Sequence, residues 1–174
     1  MHPSTLPQEG LVTAYNGVPF YPVMPAGDLP GVYSQLTVGA DSIAISADGA
    51  WLYYAPLASR AWFRVPTDVL RVPSSGPGST PTAARAARAA VQALGERPSH
   101  SDGLREAADG TIYHTAPERE AVYAWHPADG LLRAFVRDAR IQWPDTMAIQ
   151  QGKLWFTVNQ YWLYVPDWFA QGVR

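Results

Sequence analysis

The sequence predicts an all-β fold in which three related antiparallel units follow one another, with one α-helix inserted. Two observations lead to this prediction: a repeated pattern of strand and turn residues, and a composition rich in both aromatic residues and chain breakers. The 174-residue chain contains seven Trp, nine Tyr, 16 Pro and 14 Gly. Because Pro and Gly divide the chain into short segments, strands are favoured over long helices.

The repeated unit begins with an aspartate, continues through an apolar strand and a turn, and ends in aromatic residues followed by proline. Its three copies extend over 41–66, 102–127 and 145–166. The seventh residue after each first aspartate falls in the turn, and these residues are Asp48, Asp109 and Gly152. Asp-Gly turns supply the positive φ of a tight hairpin, and the flanking residues alternate as half-buried strands do. Each copy is therefore predicted to be a three-stranded meander.

A fourth strand is predicted after the second copy, at Gly130–Val136. Repeated four-stranded antiparallel units are typical of β-propeller blades. Since a blade takes roughly 40–50 residues, the chain has room for about three or four. We therefore predict a partial β-propeller, with about three to four blades of four-stranded antiparallel sheets.

The inserted helix is predicted over 82–94, after the Pro/Gly/Ser-rich stretch Pro73–Pro81. Ala84, Ala87, Val91 and Leu94 recur at three- and four-residue spacing, and Gly95 would end the helix. Such an amphipathic helix is expected to lie across an edge or end of the sheets. The single domain, 1–174, is then divided into a lead-in strand and loop (1–37), a blade (38–72), the linker and helix (73–98), a second blade (99–138) and a third (139–174).

Composition excludes several classes of protein and of site. With 13 basic and 15 acidic side chains, the net charge of −2 argues against a polybasic nucleic-acid or membrane-surface binder. No segment contains the roughly 20 apolar residues of a membrane span, and the first residues do not resemble a secretion signal. The absence of Cys excludes thiolate zinc sites and thiol nucleophiles. The compartment is left open.

Several segments resemble the major royal jelly/yellow protein family, and they follow the order found in that family. These segments are Val38–Gly49, Leu52–Leu57, Phe63–Thr67, Ser101–Leu104, Trp143–Thr146 and Asn159–Gln160. The resemblance implies a six-bladed propeller related to gluconolactonase-type proteins, of which this chain corresponds to the C-terminal half. Members of the family are often secreted or periplasmic.

Half of a propeller is expected to leave apolar blade faces in water at its two ends, because propellers avoid open faces by radial closure. Three explanations are open at this point. The chain is a truncated fragment, two copies close a ring as a homodimer, or a missing N-terminal half on another chain supplies the remaining blades.

Three aspartates hold the same position in the three copies: Asp41, Asp102 and Asp145. In a propeller the starts of the innermost strands converge on one end of the central channel. The three carboxylates are therefore candidates for a Ca²⁺ site, the one cofactor that the sequence suggests, or for sharing protons. The alternative is structural: each aspartate hydrogen-bonds its own turn and the neighbouring blade.

Candidate ligand-binding residues follow from the family resemblance. Yellow-type proteins bind small aromatic amines in the channel through a Thr, an Asn and an aromatic residue of the last two motifs. By that resemblance, the ligand-binding residues here are Thr146, Asn159 and Tyr161. The alternative is that Asn159 satisfies loop backbone and Tyr161 packs between blades.

Other polar residues are interpreted as structural, and no catalytic residue is assigned. His100, His114 and His126 are spaced 14 and 12 residues apart, which matches no local metal-binding motif. Glu118 and Glu120 are expected to face solvent from a loop. Since the chain lacks a Gly-x-Ser-x-Gly elbow, the letters of Ser99–Asp102 do not predict a hydrolase.

These features favour a propeller that binds a small, aromatic-amine-like molecule at the channel mouth. Two alternatives remain: an isomerase or metal-dependent lactonase of the gluconolactonase-like type, and a truncated structural remnant without activity. Whether the protein is an enzyme is left open by the sequence.

Overall fold

The computed structural model describes residues 2–15, 17–19, 37–71 and 81–160. The N-terminal part contains a 3₁₀ turn at Pro3–Thr5 and a short hairpin, β1 (Ala14–Tyr15) and β2 (Val18–Pro19). The first large sheet has the strand order β3 (Ala40–Ile45), β4 (Trp51–Pro56), β5 (Ala61–Pro66) and β6 (Gln92–Glu96). The second has the order β7 (Leu104–Glu106), β8 (Ile112–Ala116), β9 (Ala121–His126) and β10 (Leu131–Arg137). A hairpin follows, formed by β11 (Pro144–Gln150) and β12 (Lys153–Val158).

Both four-stranded sheets are antiparallel meanders, in which strands adjacent in sequence are hydrogen-bonded neighbours. Their first turns are built as the repeat predicts. Gly49 and Gly110 have φ of +71° and +85°, in the region that glycine enters without a Cβ clash. Asp48 accepts hydrogen bonds from the Ala50 N–H and the Ser46 hydroxyl, at 2.9 and 2.6 Å. The prediction of an all-β partial propeller is confirmed.

The two large sheets pack face to face through an aromatic core. The Trp62 and Trp125 rings meet edge-on with centroids 5.0 Å apart, and Tyr53 stacks on Trp62 at 6.2 Å. The Ser42 hydroxyl donates to the Ser101 carbonyl at 2.6 Å and so joins the sheets near their inner strands. Burying an aromatic or large aliphatic side chain contributes about 1.5–3 kcal/mol, so this cluster is a principal source of inter-sheet stability.

The second sheet contacts the third unit at Gly103. A Cβ placed on Gly103 would lie 2.2 Å from the Asp145 carbonyl oxygen, so only glycine permits this approach. Met147, on β11, is buried close by. The inner strands of the two units are thereby held side by side at their starting ends.

The inserted helix is shorter than predicted. It is α2 (Pro81–Ala89), preceded by a single helical turn, α1 (Thr67–Leu70). Residues 92–96 form β6 and pair with β5, so the segment assigned to linker and helix also supplies the fourth strand of the first sheet. The pattern of Val91 and Leu94 continues the helical spacing, but β5 offers an unpaired edge, and satisfying its backbone outweighs local helix preference. Gly95, with φ +107°, lies at an irregularity in this pairing and does not end the helix.

The outer faces of the first sheet and of the third unit carry exposed apolar side chains. Ile43 and Ile45 are 59% and 60% exposed on the free face of β3, and Trp155 of β12 is 59% exposed. These positions would be covered by further sheets in a closed ring. Closure by a second copy or by a missing half stays a prediction. Tyr161 and the predicted end of the third unit, 162–166, lie outside the described residues.

No helix among the described residues has the length and apolar character needed to cross a membrane.

Candidate functional site

The three repeated aspartates line a single cavity of about 400 Å³. It lies where the inner strands β3, β7 and β11 begin. Its walls are formed by Asp41, Ile43, Asp102, Gly103, Leu104, Arg105, Asp145, Thr146 and Met147. The meander repeat produces this convergence because each unit places its aspartate at the same end of its innermost strand.

Asp102 is the most constrained of the three carboxylates. The Trp143 indole N–H donates to its Oδ2 at 2.6 Å, and its own backbone N–H donates to the Thr115 hydroxyl at 3.0 Å. Burial raises the pKa of Asp102 to about 7, and a hydrogen bond with Asp41 and the negative charges of Asp41 and Asp145 act in the same direction. Asp102 therefore keeps its proton to a much higher pH than an ordinary aspartate does.

Trp143 is held in a strained backbone conformation beside this carboxylate. Its φ is +59°, a region that bulky residues rarely adopt, and its side chain is only 1% exposed. Its ring contacts Tyr15 and His100, with centroids 6.2 and 5.2 Å away. Trp143 lies in one of the family motifs, but neither its positive φ nor its contact with Asp102 can be read from the sequence.

Asp145 links two of the predicted ligand-binding residues. The Asn159 amide donates to Asp145 Oδ2 at 2.7 Å, and the Thr146 hydroxyl is 3.4 Å from Oδ1. Thr146 lines the cavity, whereas Asn159 reaches it through Asp145. The Asn159 backbone N–H also bonds the Trp143 carbonyl at 3.0 Å. Thr146 and Asn159 therefore lie close together, and Tyr161 lies outside the described residues.

A metal centre is not formed by these side chains as they stand. Among the described residues, no group of three His, Cys, Asp or Glu side chains is arranged to hold a metal ion. The carboxylate oxygens are chemically suited to Ca²⁺, but Asp102 would have to give up its proton first. Calcium binding by Asp41, Asp102 and Asp145 stays a prediction.

The model of the major royal jelly protein family matches residues 27–170 of this sequence. The chain belongs to the major royal jelly protein family. The match includes all three repeated units and the residues of the acidic cavity. Among curated proteins, none matches the chain by sequence.

Solved structures similar to this chain have propeller folds of greater length. A gluconolactonase from Xanthomonas campestris aligns with a TM-score of 0.52 and 18% identity, over 75% of this chain and 38% of its own. A catalytically inactive virginiamycin B lyase from Staphylococcus aureus, in a structure with quinupristin, aligns with a TM-score of 0.51 and 18% identity, over 76% and 41%. The chain thus spans about two fifths of each structure, and the likeness extends to the fold alone.

The prediction that Glu118 faces solvent is wrong, since its side chain is only 9% exposed. Its carboxylate accepts from the backbone N–H groups of Ala14 and His100, at 3.2 and 3.3 Å, and pairs with the Arg60 guanidinium at 3.3 Å. These partners lie 104, 18 and 58 residues away in sequence. Glu118 therefore fastens the N-terminal segment to the blades beneath it.

His100 and His114 are buried structural residues, 0% and 1% exposed. The His114 ring lies edge-on to Trp62 with centroids 4.4 Å apart. Burial lowers the pKa of both histidines, and for His114 the nearby Arg97 adds to the effect. Both imidazoles are therefore neutral at neutral pH. The third histidine, His126, accepts a hydrogen bond from the Ala128 N–H at a surface turn.

Proposed function

We propose that this chain binds a small cationic ligand of the aromatic amine class in the acidic cavity. The observation that carries the proposal is the meeting of Asp41, Asp102 and Asp145, from three successive units, in one cavity of about 400 Å³. That volume falls within the roughly 300–1,000 Å³ typical of small-molecule sites.

The charges around the cavity favour a cation. Three carboxylates line it, while Arg105, which is exposed, is the single basic residue in its described lining. Burial is the main reason that the pKa of Asp102 is raised, and the charges of Asp41 and Asp145 add to it; an ammonium group between these two carboxylates would offset that repulsion. Anionic ligands would meet the same carboxylates unfavourably.

The remaining wall supports an aromatic ring on the ligand. Ile43, Leu104 and Met147 contribute apolar surface, and methionine sulfur makes favourable contacts with aromatic rings. The Thr146 hydroxyl lies on the same wall, 3.4 Å from Asp145 Oδ1, and Asn159 fixes the Asp145 carboxylate through its 2.7 Å hydrogen bond. In this proposal Thr146 contacts the ligand, and Asn159 is a positioning residue.

Isothermal titration with three ligands of the same shape tests the proposal: 2-phenylethylamine, 2-phenylethanol and phenylacetate. We expect the amine to bind, the alcohol to bind at least about tenfold more weakly and the acid not to bind, because charge decides the order. Asp145→Asn should weaken the amine at least about tenfold and Asn159→Ala by a smaller factor. Asp129→Asn, an exposed aspartate paired with Arg133, is the matched control. Equal affinities for the amine and the alcohol would refute the proposal.

An acid–base isomerase is the second candidate, because the pKa of Asp102, about 7, suits proton transfer at neutral pH. Asp102→Asn separates the two functions. After this substitution a binding protein and an isomerase would both still bind the amine. Only the isomerase would show a loss of turnover. Binding without turnover in the unmodified chain excludes the isomerase. The absence of both amine binding and turnover favours a structural remnant.

A further inference from the structure

A second cavity, lined almost wholly by carbon atoms, lies on the free face of the first sheet. It has a volume of about 280 Å³ and is closed on one side by α2. Its lining includes Ile43, Leu52, Tyr54, Val65, Ala87 and Arg88. We call it the helix groove. Its volume lies near the lower limit of small-molecule sites, so it suits a slender ligand.

The back wall of the helix groove is fixed before any ligand arrives. The Tyr54 hydroxyl is 2.6 Å from the Ser4 hydroxyl, and Ser4 is bonded in turn to the His2 imidazole at 2.6 Å. This chain of hydrogen bonds ties the N-terminal 3₁₀ turn to the sheet. A wall that is already ordered spares the ligand the entropic cost of forming it.

The charge at the rim is positive. Arg88 lines the groove, yet the residue is exposed, so its alkyl stem forms wall and its guanidinium faces water at the edge. In the described part of the chain, no ion pair or hydrogen bond engages the Arg88 side chain. Ala87, beside it, leaves the space into which a ligand fits.

We propose that the helix groove binds a single-chain amphipathic carboxylate of medium length, with its alkyl chain against Ile43, Leu52 and Val65 and its carboxylate at Arg88. A neutral hydrocarbon would leave the guanidinium unused, and a cation would be repelled by it. This site shares Ile43 with the acidic cavity, but its other lining residues are different, and the proposal does not depend on the function proposed for that cavity.

Methyl-detected NMR titration of the whole chain with hexanoate, octanoate and decanoate tests the assignment. We expect saturable shifts of the Leu52 and Val65 methyl groups, which line the helix groove and not the acidic cavity. The affinity should rise roughly threefold to fourfold per added methylene until the groove is full. An absence of saturation, or no dependence on chain length, would overturn the proposal.

Two pairs of variants on the same helix locate the site. Ala87→Phe should fill the groove and weaken decanoate at least about tenfold, whereas Ala86→Phe, on the exposed side, should leave it within about twofold. Arg88→Gln should weaken decanoate by roughly threefold, as expected for an exposed charge, and Arg85→Gln should not. Equal effects within each pair would show that decanoate binds elsewhere and would overturn the proposal.

Two other occupants are separated by the same titration. Dihexanoylphosphatidic acid has the same sign of charge but two chains, so we expect it to bind more weakly than decanoate. Tighter binding of this phospholipid would show that the groove binds a two-chain lipid and would overturn the carboxylate assignment. A stable species of twice the 19.0 kDa chain mass that excludes decanoate would identify a second copy as the occupant and overturn it as well.

Discussion

Replacing Asp102 by asparagine should stabilise the protein at high pH and have little effect at low pH. The asparagine side chain keeps an oxygen that can accept the Trp143 indole N–H, which lies 2.6 Å from Asp102 Oδ2 in the unmodified protein. The substitution removes the burial of an ionisable group beside Asp41 and Asp145. Its effect on stability therefore reports the electrostatic cost of the acidic cavity.

The magnitude follows from the pKa difference between the folded and unfolded chain. The pKa of Asp102 is about 7 in the folded protein, against 3.8 for an ordinary aspartate. Roughly three units at about 1.4 kcal/mol each set an upper limit of about 4 kcal/mol. Since the substitution also replaces a charge-assisted hydrogen bond from the Trp143 indole N–H by a weaker neutral one, we expect roughly 1–3 kcal/mol.

The direction of the pH dependence is fixed by proton binding. The folded protein holds the Asp102 proton more tightly than the unfolded chain does, so the cost is absent well below pH 3.8. It grows as the pH rises from there and is complete above about pH 7. Urea unfolding at about pH 4.5 and about pH 8 should show the stability gap between the variant and the unmodified protein widening with pH.

The control is Asp68→Asn, because the Asp68 side chain is 86% exposed and pairs only with Arg71 among the interactions of the described residues. Its stability difference should not change over this pH range. A gap for Asp102→Asn that stays constant, or a variant less stable than the unmodified protein at about pH 8, would refute the electrostatic account of the cavity.

The remaining predictions concern stability. Because His114 is buried and neutral with a lowered pKa, its protonation in the unfolded chain should cost stability as the pH falls below about 6.5, and His114→Gln should reduce that loss in urea unfolding at pH 5 relative to pH 7. Glu118→Gln should lower the free energy of unfolding by roughly 1–3 kcal/mol, because it weakens the Arg60 pair in a nearly buried site. Glu120→Gln should lower it by less than about 0.5 kcal/mol. Equal losses would contradict the role given to Glu118. Gly103→Ala should lower stability by more than about 2 kcal/mol, because its Cβ would meet the Asp145 carbonyl oxygen at 2.2 Å. Gly130→Ala, in open space at φ +65°, should lower it by about 1 kcal/mol. The same thermal shift for both variants would argue against tight contact between the second and third units.

The repeat allowed the sheets to be predicted because its determinants are local. Asp48 and Gly49 form their turn within a few residues, and the alternation of Ser42 with Ile43 records which side of β3 is buried. The convergence of the aspartates also followed from the repeat, since equivalent positions in successive blades lie at the same end of the ring.

The features that were missed depend on distant partners. Residues 92–96 carry a helical pattern, and only the free edge of β5 makes them a strand. Glu118 has the composition of a loop residue, and its burial depends on Arg60 and Ala14, far away in sequence. Trp143 has a positive φ and its ring contacts Tyr15 and His100, both far away in sequence, so its conformation and surroundings have no local signature.

Backbone amide NMR with 2-phenylethylamine is the most direct test of the central claim, that the repeated aspartates form a cation-binding cavity. We predict saturable shifts for Gly103, Thr146 and Met147, which line the cavity, and their loss in Asp145→Asn. Shifts confined to α2 and the free face of the first sheet, or shifts that persist unchanged in Asp145→Asn, would contradict the claim.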